Sequence, residues 1–309
     1  MTIAANMNKL LDDQAGYSEL VKLFTLPNLP SAARKILQLN LTKNYSIAEL
    51  ARIISADAAV QQQILNFAKL SLPSIEPESE RVQHIIEHIL GFETVSHIAL
   101  GVSAGSAFGE QNNIDLHSFW LHALCCAALA EAIANKIKLD NNSVKPYMSY
   151  ICGLLHNIGL LLFNAMFPRE FALLKKWLKL NPNVPITFLE NRLIAMEPKL
   201  CICTGGHAQL GAWLLRYWEM PEEACIVARE HHHPNYSAAQ HKYVQIVWLA
   251  NRILKKNYAL GDGSSGNISS DHLALVGISS IELDIIVVDV MSTVDELSNL
   301  AGALVSTAK

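Results

Sequence analysis

Six of the twelve histidines fall within or at the ends of apolar, helix-patterned segments: His122, His156, His207, His231, His232 and His233. Imidazole nitrogens ligate zinc and other borderline ions, and separate helices of a bundle can each turn one ligand inward. The six are therefore candidates for one metal cluster. Two amides stand beside them, Asn157 directly after His156 and Asn251 at the end of the apolar run VQIVWLAN. The competing reading is that each ring is a hydrogen-bonded residue of a helical core. His233, next to Pro234, is expected in solvent, while His97, His117, His241 and His272 have no supporting neighbours.

Other chemistry is poorly served. His84-Ile85-Ile86-Glu87-His88 has the H-x-x-E-H spacing of one zinc protease class. Val82, Ile85, Ile86, Ile89 and Leu90 make the apolar side there, so His84, Glu87 and His88 are expected to face water, and no further ligand is identified. There is no G-x-S-x-G nucleophile turn, and GGHAQLG lacks the lysine of a phosphate loop. The cysteines, Cys125, Cys126, Cys152, Cys201, Cys203 and Cys225, show no C-x-x-C spacing and are expected as buried thiols in a reducing compartment.

The elements that must position the histidines are helices. Ser46 and Glu49 have capping-box spacing, which predicts a helix from Ile47, and Ser55 or Asp57 is placed to cap the next. Pro221 is expected as a first helical residue, with Glu222 and Glu223 against the positive end of the dipole. Ser279 and Glu282 repeat the capping-box spacing, and residues 285–290 are short enough to read as a buried helix rather than a strand. The expected fold is all-α, a multi-helix bundle. Polar breaks at 70–80, 109–115 and 261–270 suggest an N-terminal helical part (1–110), a histidine-bearing core (111–260), and a linker with C-terminal helices packing on the core (261–309).

With 309 residues, 51% of them apolar and 17% charged, the chain can bury a large core and is not disordered. A formal net charge of -4, from 24 basic and 28 acidic side chains, provides no global basic field, so nucleic acid is not an expected partner. The opening MTIAANMNKLLDDQ has neither the basic flank nor the apolar run of a signal peptide. The longest apolar stretch, 150–167, is interrupted by His156, Asn157 and Asn164 and is expected as a buried core helix, not a membrane span. A cytoplasmic protein without membrane contact is the expectation.

Seven segments taken in order resemble the HDOD family, the HD-related output domains of bacterial signalling proteins. They are LPNLPSAARKILQL, IISADAAVQQQILNFAKLSL, VQHIIEHILGFETVSHIAL, FWLHALCCAALAEAIA, YICGLLHNIGLLLF, GGHAQLGAWLLRYWEMPEEACIVAREHHHP and VQIVWLANRIL. The resemblance implies an all-helical core related to the HD phosphohydrolases, in which histidines and aspartates hold one or two metal ions. It places His122 at the first histidine, His156 at the histidine of the His-Asp pair, His207 at the intermediate one, and His231 and His232 at the following doublet.

The sequence departs from that pattern at both carboxylates. Asn157 stands at the aspartate of the pair, and Asn251 at the final aspartate. An amide oxygen can ligate, but it neither neutralises a cation nor takes a proton from bound water. Leu160 stands where the related HD-GYP phosphodiesterases have a lysine, and the Gly-Tyr-Pro signature is absent. The resemblance therefore implies either no metal or one divalent transition ion (zinc, iron, nickel or manganese), with His122, His156, Asn157, His207, His231, His232 and Asn251 as its site. The function it implies is a signal-transduction module, non-catalytic, acting by binding a signalling protein or small ligand. The alternative is a metal-dependent phosphohydrolase acting on a nucleotide or phosphodiester. The residues identify neither the partner nor the oligomeric state.

Overall fold

Helix-forming signals govern the described chain from end to end. The computed structural model describes residues 15–42, 46–71, 82–108, 113–137, 144–197, 200, 204–258 and 268–306, and among them there is no strand. In order, the helices are α1 over 15–23, α2 (Ser31–Leu41), α3 (Ile47–Ser55), α4 (Ala58–Ser71) and α5 (Val82–Ile85), which continues as a π-helical turn (Ile86–Leu90). There follow α6 (Phe92–Ser106), α7 (Leu116–Ile137), α8 (Pro146–Leu155), α9 (Ile158–Met166), α10 (Pro168–Leu180), α11 (Ile186–Met196) and α12 (Gly206–Tyr217). The last are α13 (Glu222–Glu230), α14 (His241–Tyr258), α15 (Ser270–Val276), α16 (Ser280–Ser292) and α17 (Val294–Ser306). The fold is all-α. Most of the three polar breaks, the opening 14 residues, and Cys201 and Cys203 lie outside the described residues.

Local chemistry sets several helix starts. Ser46 accepts a hydrogen bond from the Glu49 backbone N–H at 3.2 Å and α3 begins at Ile47, but the Glu49 carboxylate turns to Arg52 instead of closing the box. Asp57, not Ser55, caps α4 through the N–H groups of Ala59 and Val60. Ser279 and Glu282 form the complete reciprocal box at the start of α16. Pro221 precedes α13 as its N-cap, one position earlier than expected. Residues 285–290 are helical within α16, yet that helix is not buried throughout. Leu283 and Val287 point inward, while Ile281, Ile285 and Val288 are exposed.

The chain divides into two compact units. One comprises residues up to Pro27 together with Cys126–Val288; the other comprises Asn28–Cys125 and Asp289–Lys309. The division falls inside α7, between Cys125 and Cys126. In the second unit α2 packs on α6, and α17 lies against α4 and α6. His84 is half-buried and Glu87 and His88 are exposed on the turn that follows α5, so the H-x-x-E-H residues form a solvated face.

In the first unit α12 packs between α9 and α13, and α14 lies against α8 and α13. Trp213, Trp218 and Phe163 are fully buried there, and the Trp218 indole N–H donates to the Pro27 carbonyl at 2.7 Å. Two stretches, Leu116–Ile137 and Pro146–Met166, are long and apolar enough to cross a membrane; 61% and 94% of them are buried within the fold, as in core helices. The second is not one helix. It breaks at His156 and Asn157 into α8 and α9, where a single core helix was expected. The His156 ring takes the Gly153 carbonyl at 2.6 Å, the acceptor the next helical N–H would use.

Candidate metal centre

Four of the predicted histidines converge in the first unit, each delivered by a helix end. His156 follows the last residue of α8, His207 is the second residue of α12, and His231 and His232 follow α13. Ring centroids are 5.0 Å apart for His156 and His231, 5.5 Å for His207 and His231, 5.1 Å for His207 and His232, and 4.0 Å for His231 and His232. His156, His207 and His231 are buried and His232 is half-buried.

Hydrogen bonds fix which nitrogen each buried ring presents. A backbone carbonyl can only accept, so His156 donates Nδ1–H to Gly153 O, and His231 donates Nδ1–H to Ala228 O at 2.9 Å. His207 Nδ1 lies 2.8 and 2.9 Å from the two carboxylate oxygens of Glu190, which also accepts the His207 backbone N–H at 3.2 Å. Each of these three rings, when neutral, therefore keeps its lone pair on Nε2. His232 Nε2 lies 3.1 Å from His207 Nε2.

The backbone beneath His207 is specialised. Gly206 has φ +61°, a left-handed conformation, and a Cβ there would collide with the Glu190 carboxylate. A Cβ on Gly159 of α9 would strike the His207 carbonyl oxygen and the Gly211 nitrogen, so the backbones of α9 and α12 touch beside the site. Asn157 is buried as the N-cap of α9, and its Oδ1 has no hydrogen-bond partner. Asn251, on α14, lines a cleft of about 230 Å³ with His231, His232, Trp248 and Arg252, and no carboxylate among the described residues lines it. Arg252 stacks over the Trp248 ring at 5.2 Å, and the His272 ring lies on that indole, with centroids 4.5 Å apart.

Two further candidates remain. His122 is buried on the part of α7 that belongs to the second unit. His233 is exposed, as expected, and hydrogen-bonds to Glu230. Burial would raise the Glu230 carboxyl, but the bond from His233 and the charge of Arg229 hold it below the usual carboxylate range.

The HDOD domain family matches residues 26–234. The chain belongs to the HDOD family. An uncharacterized protein of Treponema pallidum (strain Nichols) is 22% identical over 231 residues, 74% of this HDOD chain and 42% of that relative. A protein of Marinobacter aquaeolei VT8, provisionally named for signal transduction, has a crystal structure that superposes with a TM-score of 0.80 at 21% identity, covering 95% of this chain and 66% of that one. Another, from Shewanella amazonensis SB2B and provisionally named a phosphohydrolase, gives 0.70 at 17% identity over 94% and 98% of the two chains. The chain thus spans less than half of the curated relative. At these identities the two structures share the fold.

Among the described residues of this HDOD chain, the donor set fits a single transition ion. His207, His231 and His232 offer ring nitrogens that all lie within 4.8 Å of one another, and a tetrahedral zinc site brings its donors to about 3.4 Å apart. Small ring movements close the difference. Each buried ring has the outer partner, carbonyl or carboxylate, that orients metal-ligating imidazoles. Asn157, next to His156 in the chain, has a buried Oδ1 with no hydrogen-bond partner among the described residues. Glu190 is the residue that sequence reading missed. Its signal was there: a carboxylate on the same face of α11 as Ile186 and Leu193, all buried, ahead of the Gly205-Gly206 pair that precedes His207.

Proposed function

We propose that this chain is a regulatory module of bacterial signal transduction that works by binding, with its histidine centre holding one divalent transition ion in a structural or sensing role. The observation that carries the reading is the placement of carboxylates. Asn157 and Asn251 are neutral amides, the cleft beside the doublet contains no carboxylate among the described residues, and Glu190 turns both oxygens to the far side of His207. A bound ion would lower the pKa of a ligated water. Among the described residues, no carboxylate lines the cleft beside His231 and His232 to take that water's proton. The partner is a signalling protein or a small ligand, and the setting is the cytoplasm.

The second reading, hydrolysis of a nucleotide or phosphodiester, draws on Arg252, a cationic group in the cleft beside His231 and His232. One experiment separates the two. Protein purified without added metal or affinity tag is assayed for metal by elemental analysis and screened on phosphodiesters and nucleotides beside His156→Ala. One equivalent of metal with no turnover above the variant supports the binding module. Turnover that His156→Ala abolishes without unfolding the protein selects the hydrolase.

A further inference from the structure

Asn157 and Asn251 are amides where a carboxylate would bring charge, and the other candidate donors among the described residues are imidazole rings. A divalent ion surrounded by neutral donors in a buried pocket keeps its full charge in a medium of low polarisability, which is costly. The fold holds one negative group close by. Glu190 is 1% exposed, and its two oxygens lie 2.8 and 2.9 Å from His207 Nδ1. Its third contact, the His207 backbone N–H at 3.2 Å, locks carboxylate and ring together. The left-handed Gly206 leaves room for that carboxylate, because a Cβ would occupy its place.

We propose that Glu190 is the positioning residue and charge compensator of the histidine centre: it holds His207 with Nε2 as donor and supplies, from behind the ring, the negative charge that Asn157 and Asn251 do not bring to the ion. This rests on the reading that the cluster holds an ion. A carboxylate pulling on Nδ1–H makes Nε2 more basic and spreads negative charge through the imidazole to the metal. One such carboxylate offsets half the charge of one divalent ion, so the centre takes a single ion. Its imidazole donors select zinc, cobalt or nickel over magnesium and manganese, which prefer oxygen.

The test uses full-length protein stripped of metal and titrated with cobalt(II), read by its visible absorption. Wild type is expected to saturate at one equivalent, with magnesium and manganese failing to displace cobalt. Glu190→Gln keeps the size and the acceptor oxygen but removes the charge, and it is expected to lose about 10- to 100-fold in affinity at unchanged helix content. Binding within threefold of wild type would overturn the proposal while leaving the metal centre intact. Failure of wild type to bind any of these ions would overturn both. A further measurement needs no variant. Nitrogen-15 NMR of the metal-free wild type is expected to show His207 protonated at Nδ1, and protonation at Nε2 instead would also overturn the proposal.

Discussion

His207 and His232 face one another through their Nε2 atoms at 3.1 Å. Glu190 already accepts the Nδ1–H of His207, so in the metal-free protein His207 Nε2 is an acceptor and His232 must donate to it. An ion entering the cluster needs the Nε2 lone pair of both rings, so the single proton of a neutral His232 moves from Nε2 to Nδ1. Nitrogen-15 NMR of His232 checks this: protonation at Nε2 in the metal-free protein and at Nδ1 with zinc added is expected, and protonation at Nδ1 in both states would contradict the arrangement.

Asn157 provides a test with opposite signs in two conditions. Its Oδ1 is buried and unpartnered. Asn157→Asp places an unpaired carboxylate there and is expected to cost the metal-free protein about 3 kcal/mol. Added zinc should recover most of the lost Tm. A Tm insensitive to zinc would show that Asn157 does not face the ion.

Gly206→Ala combines a disfavoured left-handed φ with a collision against Glu190. A loss of about 2 kcal/mol in urea unfolding is expected, together with weaker cobalt binding. The same substitution at a helical alanine-tolerant surface site is the natural control.

Acid should destabilise the second unit through His97, whose ring burial pushes the pKa down to about 3. The unfolded chain binds that proton near pH 6.5 and the folded chain does not, so stability is full above 6.5 and falls as pH drops toward 3. Between pH 6.5 and 5 the loss is about 2 kcal/mol from this residue. His97→Gln should flatten that part of the stability profile; an unchanged slope would rule His97 out as its source.

The two sides of α16 should respond unequally. Leu283→Ala, at a buried position, is expected to cost about 3 kcal/mol, whereas Ile285→Lys, at an exposed one, should shift stability by less than about 0.5 kcal/mol. Chemical denaturation of both variants checks the contrast.

What was legible in the chain was what local chemistry decides. Ser46 and Ser279 announce their helices through neighbours three residues away. Hydropathy hid the break at His156, because apolar residues continue on both sides and the interruption comes from a ring bonding back to Gly153. Nor does it report which side of α16 meets solvent, which depends on what the tertiary fold sets against it. Glu190 lies 17 residues from His207, and a lone carboxylate has no motif; only the fold pairs them.

His156 and His231 share a device. Each ring is tethered to the carbonyl three residues before it, at the C-terminal end of its own helix. These tethers form within one helical turn, so the rotational freedom of both rings is surrendered when the helices form, not when a ligand arrives. Capture then has little disorder left to remove, and the half-exposed His232 is the arm left to swing. On the reading that the centre holds an ion, it is a preset socket whose filling would be governed by ion dehydration and by the motion of one side chain.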